Sequence, residues 1–156
     1  MEQSKQTAWM VSRLLYEPHI YHALSDEYKD VYMAHELLQE IEFGYRIVIG
    51  VFATNNNFIG CVHGVLDNGI FTCHLLFKRK INVLPLLFEC EMKLKEYCSQ
   101  QKIKIDFIDG FIAQSNIAAC RIARKFGSVC LGKDNNTFVL HNNNKEFCWH
   151  FRKEMK

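Results

Sequence analysis

Ser115 to Ser128 read SNIAACRIARKFGS. Ser115 and Asn116 carry side-chain oxygens able to cap the free N–H groups of a first helical turn. Ile117, Cys120 and Ala123–Arg124 then recur at helical spacing, and Gly127 stands where a right-handed helix stops. The pattern predicts a helix from Asn116 to Phe126. Just upstream, KIKIDFIDGFI (Lys102 to Ile112) alternates apolar with polar residues and predicts a strand.

Further upstream, Val83 to Gln101 predicts a long helix, with a stripe at Leu84, Leu87, Phe88, Glu91 and Leu94–Lys95. Pro85 fits there only because it falls in the first turn. Before it come three runs rich in β-branched and aromatic residues: Tyr45 to Ala53, Phe58 to Leu66 and Ile70 to Lys78. TNNN separates the first two, and Asp67-Asn68-Gly69 is a hairpin signal, since Asn and Gly tolerate positive φ. These predict an antiparallel meander. Val31 to Glu42 predicts a helix through Val31, Ala34, Leu37, Leu38 and Ile41, ended by Gly44. HIYHALSDEY, after Glu17-Pro18, predicts another with Pro in its first turn. VCLG (129–132), TFVLH (137–141) and EFCWHFR (146–152) read as closing strands, with Asn135–Asn136 and NNN as turns. The expected fold is a single α+β domain over residues 1–156, a central mixed, mostly antiparallel sheet flanked by helices.

Composition narrows the function. Hydrophobic residues make up 49% of the 156, with only 2 Pro and 8 Gly, which suits a packed core. A net charge of +2 with mixed signs gives no basic stripe for nucleic acid. No apolar run approaches the roughly 20 residues of a membrane span. Met1 to Lys5 lacks the basic and apolar regions of a secretory leader. Seven Cys without a CxxC pair read as reduced thiols packed like small hydrophobes, which places the chain in a cytoplasm.

Taken in order, CHLLFKRK (73–80), the long helix and IDGFIAQSNIAACRIARKFGSVCLG (108–132) resemble the GNAT superfamily of acyl-coenzyme A-dependent N-acyltransferases. The similarity runs from about Tyr16 onward. LLYEPHIYHALSDEY followed by a meander ending in CHLLF is similar, more narrowly, to small GNAT-like proteins of tailed bacteriophages. Some of those are head-assembly or virion-associated proteins, which would place this chain in a phage-infected host cytoplasm or a virion.

The GNAT resemblance implies acetyl-CoA as cofactor. Leu75, Leu76 and Phe77 would supply strand contacts to the pantetheine arm. Lys78, Arg79, Lys80, Ile81, Asn82 and Val83 would form the pyrophosphate loop, and Asn116 would contact the pantetheine. The loop lacks the family's glycines, which let backbone approach phosphate closely. Its three consecutive cations could offset that loss, the alternative being a solvated basic turn. Asn116 also serves simply as a helix cap. Ala123 stands where the family often carries a Tyr general acid.

His74 is the candidate general base, a neutral imidazole beside the expected thioester position. Asp106 and Asp109 are alternatives or partners for cations, and Glu89 and Glu91 are expected to face solvent. Cys73 and Cys120 are candidate nucleophiles with no sequence signal for a lowered pKa. Alternation puts Cys61 and His63 on one face and separates Cys73 from His74, so no metal site is expected. Two functions stand open. One is an N-acetyltransferase acting on an amine; the other is a non-catalytic GNAT-fold module for phage-head assembly or protein binding. The acceptor amine or protein partner is unidentified in either case, and a homo-oligomer through open sheet edges is compatible with both.

Overall fold

The computed structural model describes residues 2–15, 31–78, 80–141 and 144–156. Helices α1 (Glu2–Leu15) and α2 (Val31–Glu42) precede strands β1 (Ile47–Phe52), β2 (Phe58–Asp67) and β3 (Ile70–Phe77). Helix α3 (Val83–Gln101), strand β4 (Phe107–Ala113), helix α4 (Ile117–Lys125) and strands β5 (Val129–His141) and β6 (Asn144–Glu154) complete the order. The six strands form one sheet in the order β1-β2-β3-β4-β6-β5. Every neighbouring pair is antiparallel except β3 and β4, which run parallel.

The β2–β3 hairpin follows from its turn. Asn68 at φ 48° and Gly69 at φ 80° fill the two-residue loop between Asp67 and Ile70. This turn sets the register Cys61↔Leu76, His63↔His74 and Gly64↔Cys73. At Gly64 a Cβ would lie 2.2 Å from the Thr72 carbonyl oxygen, so only glycine permits this close approach of the strands.

The sheet buries both faces. On one, Ala8, Val11 and Leu14 of α1 and Leu37 and Ile41 of α2 pack on Cys61 and Leu76. On the other, Leu94 and Cys98 of α3 and Phe126 beyond α4 pack with Phe71 and Ile108. Side chains alternate along a strand, so His63 and His74 share the α1–α2 face with Cys61 and Leu76. Cys73 belongs to the α3 side. Among the described residues, no helix is long and apolar enough to cross a membrane.

Several elements differ from expectation. Helix α1 has no counterpart among the expected elements: among its described side chains the buried stripe is Ala8, Val11 and Leu14, one residue per turn. The helix expected over 19–28 lies outside the described residues. The strand expected from Lys102 begins at Phe107. Lys102 instead closes α3 in the left-handed region at φ 55°, and Ile103 N–H reaches back to the Cys98 carbonyl at 2.9 Å. Asn135–Asn136 does not separate two strands. Strand β5 runs unbroken from Val129 to His141, and its register on β6 shifts between Asp134 and Phe138. An Asx contact, Asn136 N–H to Asp134 Oδ1 at 2.7 Å, gathers the extra residues there. Finally, Glu91 does not face solvent. It is 9% exposed and paired with Lys153 of β6 and Lys95, while Glu89 is exposed.

Candidate functional site

The parallel pair β3–β4 holds for only three residues, Ile70↔Phe107, Phe71↔Ile108 and Thr72↔Asp109. Past Thr72 and Asp109 the strands have no register with each other, although β3 stays paired with β2 and β4 with β6. The sheet opens there into a cleft. Backbone alternation identifies its walls. Lys78 N–H donates to the Ile59 carbonyl at 2.8 Å, so Leu76 and His74 turn their backbone groups to β2. Leu75 and Phe77 turn theirs to the cleft. Across it, Gln114 N–H donates to Phe147 of β6 at 3.2 Å, so Phe111 turns its backbone toward β3.

Two helix starts flank this region in the chain. Asn82 occupies the N-cap of α3 without a side-chain cap bond. The Val83 and Leu84 N–H groups therefore lie beyond the reach of the helix's own carbonyls, and Pro85 has none. Asn116 does cap α4, its Oδ1 accepting from Ala119 N–H at 3.1 Å. Ser115 binds Glu146 Oε1 through both its N–H, at 3.0 Å, and its hydroxyl, at 2.6 Å.

The expected site residues divide accordingly. Leu75, 42% exposed, lies on the cleft wall, whereas Leu76 is buried in the α1–α2 core. Lys78 is half-buried, with Nζ 5.9 Å from the Phe58 ring centre, and Lys80 and Asn82 are exposed. Ile81 and Val83 are half-buried, and Arg79 lies outside the described residues. Ala123 is half-buried on α4.

His74 stands on the α1–α2 face with its ring stacked on His63, centroids 5.3 Å apart. His63 is buried, with Nδ1 3.3 Å from Arg46, which also binds Glu40 Oε2. Burial first, then His74 and Arg46, hold the His63 pKa well below the usual imidazole range. His74 is exposed at the sheet surface, yet the desolvated surroundings of its ring and the Arg46 charge lower its pKa too. The pair is thus neutral at physiological pH and able to accept protons.

A second polar group lies on the same face at the closed end of the cleft. Asp109, 4% exposed, receives Arg152 Nε on Oδ1 at 2.7 Å and Nη2 on Oδ2 at 2.8 Å. His150 Nε2 lies 2.7 Å from Oδ2, and its ring stacks on Phe111 with centroids 4.7 Å apart. Burial alone would raise the Asp109 pKa, but the bonds from Arg152 and His150 outweigh it and hold the carboxyl below its usual range. Sequence reasoning reached Asp109 as a partner for a cation but not His150. Alternation in EFCWHFR does set Cys148, His150 and Arg152 on one face; what it lacks is the β4–β6 register that seats them beside Asp109.

The candidate thiol nucleophiles lack the lowered pKa that would make them thiolates. Burial pushes Cys73 up to about 11 and raises Cys120, so both stay protonated at neutral pH. All seven cysteines are free.

Two solved structures share this architecture. Spermidine N-acetyltransferase from Vibrio cholerae, in complex with CoA and spermine, superposes with a TM-score of 0.70. The match covers 95% of this chain and 89% of that one, at 14% identity. RimL, the ribosomal L7/L12 α-N-protein acetyltransferase in complex with coenzyme A, gives 0.70 over 97% and 90%, at 10% identity. No protein-family model matches the sequence, and no curated protein matches it. At such identities the likeness defines the fold: this chain has the α+β GNAT fold, with its central strands parted.

Proposed function

We propose that this chain is an N-acetyltransferase that moves an acetyl group from acetyl-CoA to an amine. The observation that carries the reading is the opening of the sheet past Thr72 and Asp109, which leaves Leu75 without a β4 partner among the described residues. The likeness to two acetyltransferases with bound CoA supports it, and the spermidine enzyme supports an amine as acceptor. The bacteriophage setting and the assembly-module alternative gain no such support.

The residues fit the cofactor in three ways. Leu75 and Phe77 direct backbone groups across the cleft, where an extended amide-bearing arm pairs as a strand would; Leu76 aligns them from the core. The Val83 and Leu84 N–H groups, with Lys78 and Lys80, are the groups offered to phosphate charge, while Ile81 and Asn82 shape the turn. Asn116 spends Oδ1 on its cap and keeps its amide N–H groups for a contact. Bound acetyl-CoA supplies an acetyl group activated as a thioester. The chain orients the acceptor against it, and proximity accounts for much of the rate. His74, neutral and on the face opposite α3, takes a proton from the attacking nitrogen.

Thermal unfolding with and without acetyl-CoA tests this. At a hundred times the dissociation constant, the cofactor is expected to stabilise the fold by ~2.7 kcal/mol. No shift at millimolar cofactor rejects the proposal in favour of a non-catalytic module. Where binding occurs, Lys78→Ala with Lys80→Ala is expected to weaken it, and His74→Ala to lower turnover more than binding.

A further inference from the structure

An ammonium acceptor has more protons to lose than one histidine accounts for. One leaves before the nitrogen can attack; a second leaves as the amide forms. His74 serves one of these. We propose that His150, aligned by Asp109 on the same face of the sheet, is the second proton acceptor of the transfer reaction. The inference rests on the acetyltransferase reading and assigns a residue to it.

Geometry fixes which nitrogen is available. The Asp109 carboxylate, already bound by Arg152 on both oxygens, can only accept hydrogen bonds, so the His150 Nε2 facing it at 2.7 Å carries the proton. In the neutral imidazole this leaves Nδ1 with a lone pair. No protein partner for Nδ1 exists among the described residues, and no buried side-chain nitrogen there lacks a partner, so Nδ1 reaches the surface. The His150 side chain is 23% exposed. Phe111, whose backbone turns into the cleft, stacks its ring on the imidazole. The dyad therefore sits against the wall of the cleft opposite β3, on the face that carries His74.

The charges bonded to it form one balanced pair. Asp109 and Arg152 neutralise each other across β4 and β6. Gly132 is the β5 residue opposite His150, and Asp134 stands one pair further along, opposite Cys148. Cys148 is buried and its pKa is pushed up to about 11, so it remains a neutral thiol. On β3, His74 is the titratable group of this face.

The proton balance closes without another reagent. The acceptor nitrogen forms its N–C bond as the thioester C–S bond breaks. Its first proton passes to His150 Nδ1 and then to water; its second passes through His74 to the departing sulfur. Asp109 keeps its carboxylate throughout and binds the imidazolium through Nε2–H.

His150→Gln tests the assignment, because its amide can still donate to Asp109 but cannot take up a proton. Thiol release is measured from pH 6 to 10, with spermidine and with a peptide bearing a free α-amine, beside calorimetric binding of acetyl-CoA. The expected result is unchanged binding, turnover lowered on the order of 100-fold at neutral pH, and a gap that narrows at high pH, where the amine deprotonates unaided. His150→Ala is expected to behave likewise. A variant that turns over like the wild type across the range overturns the inference and leaves the acetyltransferase proposal standing. A deficit constant with pH, or lost acetyl-CoA binding, marks His150 as structural and also overturns it. A wild-type chain that releases no thiol with either amine rejects the acetyltransferase proposal and this inference with it.

Discussion

Two carboxylate clusters, one on each face of the sheet, use adjacent residues of β6 to opposite effect. Lys153 reaches Glu91 on the α3 side; Arg152 and His150 reach Asp109 on the α1–α2 side. The first cluster is enclosed. Lys153 Nζ lies 3.9 Å from the Phe126 ring centre and 4.9 Å from that of Phe88, and the paired side chains are 13% and 10% exposed. The second opens at its rim: the Asp109 side chain is 6% exposed, but those of Arg152 and His150 are 29% and 23%. The same pairing thus makes a clip where apolar rings surround it. Where a cleft adjoins it and a third group keeps a lone pair, it makes a candidate site.

The largest effect is expected from breaking the clip. Glu91→Leu leaves Lys153 charged against two aromatic rings, and breaking such a buried pair costs about 3–5 kcal/mol. Replacing both partners, Glu91→Leu with Lys153→Met, is expected to recover most of that loss, because no buried charge is then stranded. Urea unfolding of the two variants measures the difference. Equal destabilisation by both would mean that Glu91 acts through packing rather than charge.

Asp109→Asn is expected to cost less, about 1–3 kcal/mol. The side chain keeps its shape, and Arg152 and His150 can turn to water at the rim. The contrast between the clusters fails if Asp109→Asn proves the more damaging substitution in the same urea series.

Acidity separates the histidine pair from both carboxylates. Asp109 and Glu91 have folded pKa values held below the usual range; for each, burial opposes the shift and cation hydrogen bonds prevail. The unfolded chain then binds more protons in acid, so their contribution is present above about pH 4 and lost as pH falls further. His63 is also depressed, but its unfolded value is near 6.5, so its penalty begins as pH drops below about 6.5. A melting temperature followed from pH 7 to 3 is expected to fall in two stages. His63→Phe is expected to flatten the upper stage and spare the lower. One featureless decline, unchanged in the variant, would break the assignment.

These contrasts explain what the sequence could and could not carry. Strand order through the meander, the long helix and the capped α4 were legible, because turn residues and apolar spacing act locally: Asn68-Gly69, Asn116 and Gly127 each stand where their backbone geometry is needed. Helix α1 was not legible, since its stripe is narrow and gains meaning only against α2 and β2. Nor was either charged cluster. Glu91 lies 62 residues from Lys153, and Asp109 lies 43 from Arg152. Only the β4–β6 register and the packing of α3 bring them together. The cleft is still less local, being a pairing that stops after three residues.

The smallest expected effect concerns Asn116, where a local role and a site role coincide. Its Oδ1 caps Ala119 N–H, so Asn116→Ala is expected to cost about 1 kcal/mol in chemical denaturation without any cofactor. Asn116→Ser keeps a capping oxygen and is expected to recover most of that stability. It removes the amide N–H groups, however, and these are the ones the proposed function assigns to pantetheine. Acetyl-CoA affinity measured on the two variants therefore separates the roles. If Ser restores stability but not affinity, Asn116 serves both fold and cleft. If it restores both, the residue is a cap alone, and binding at this end of the cleft falls to the walls at Leu75 and Phe111.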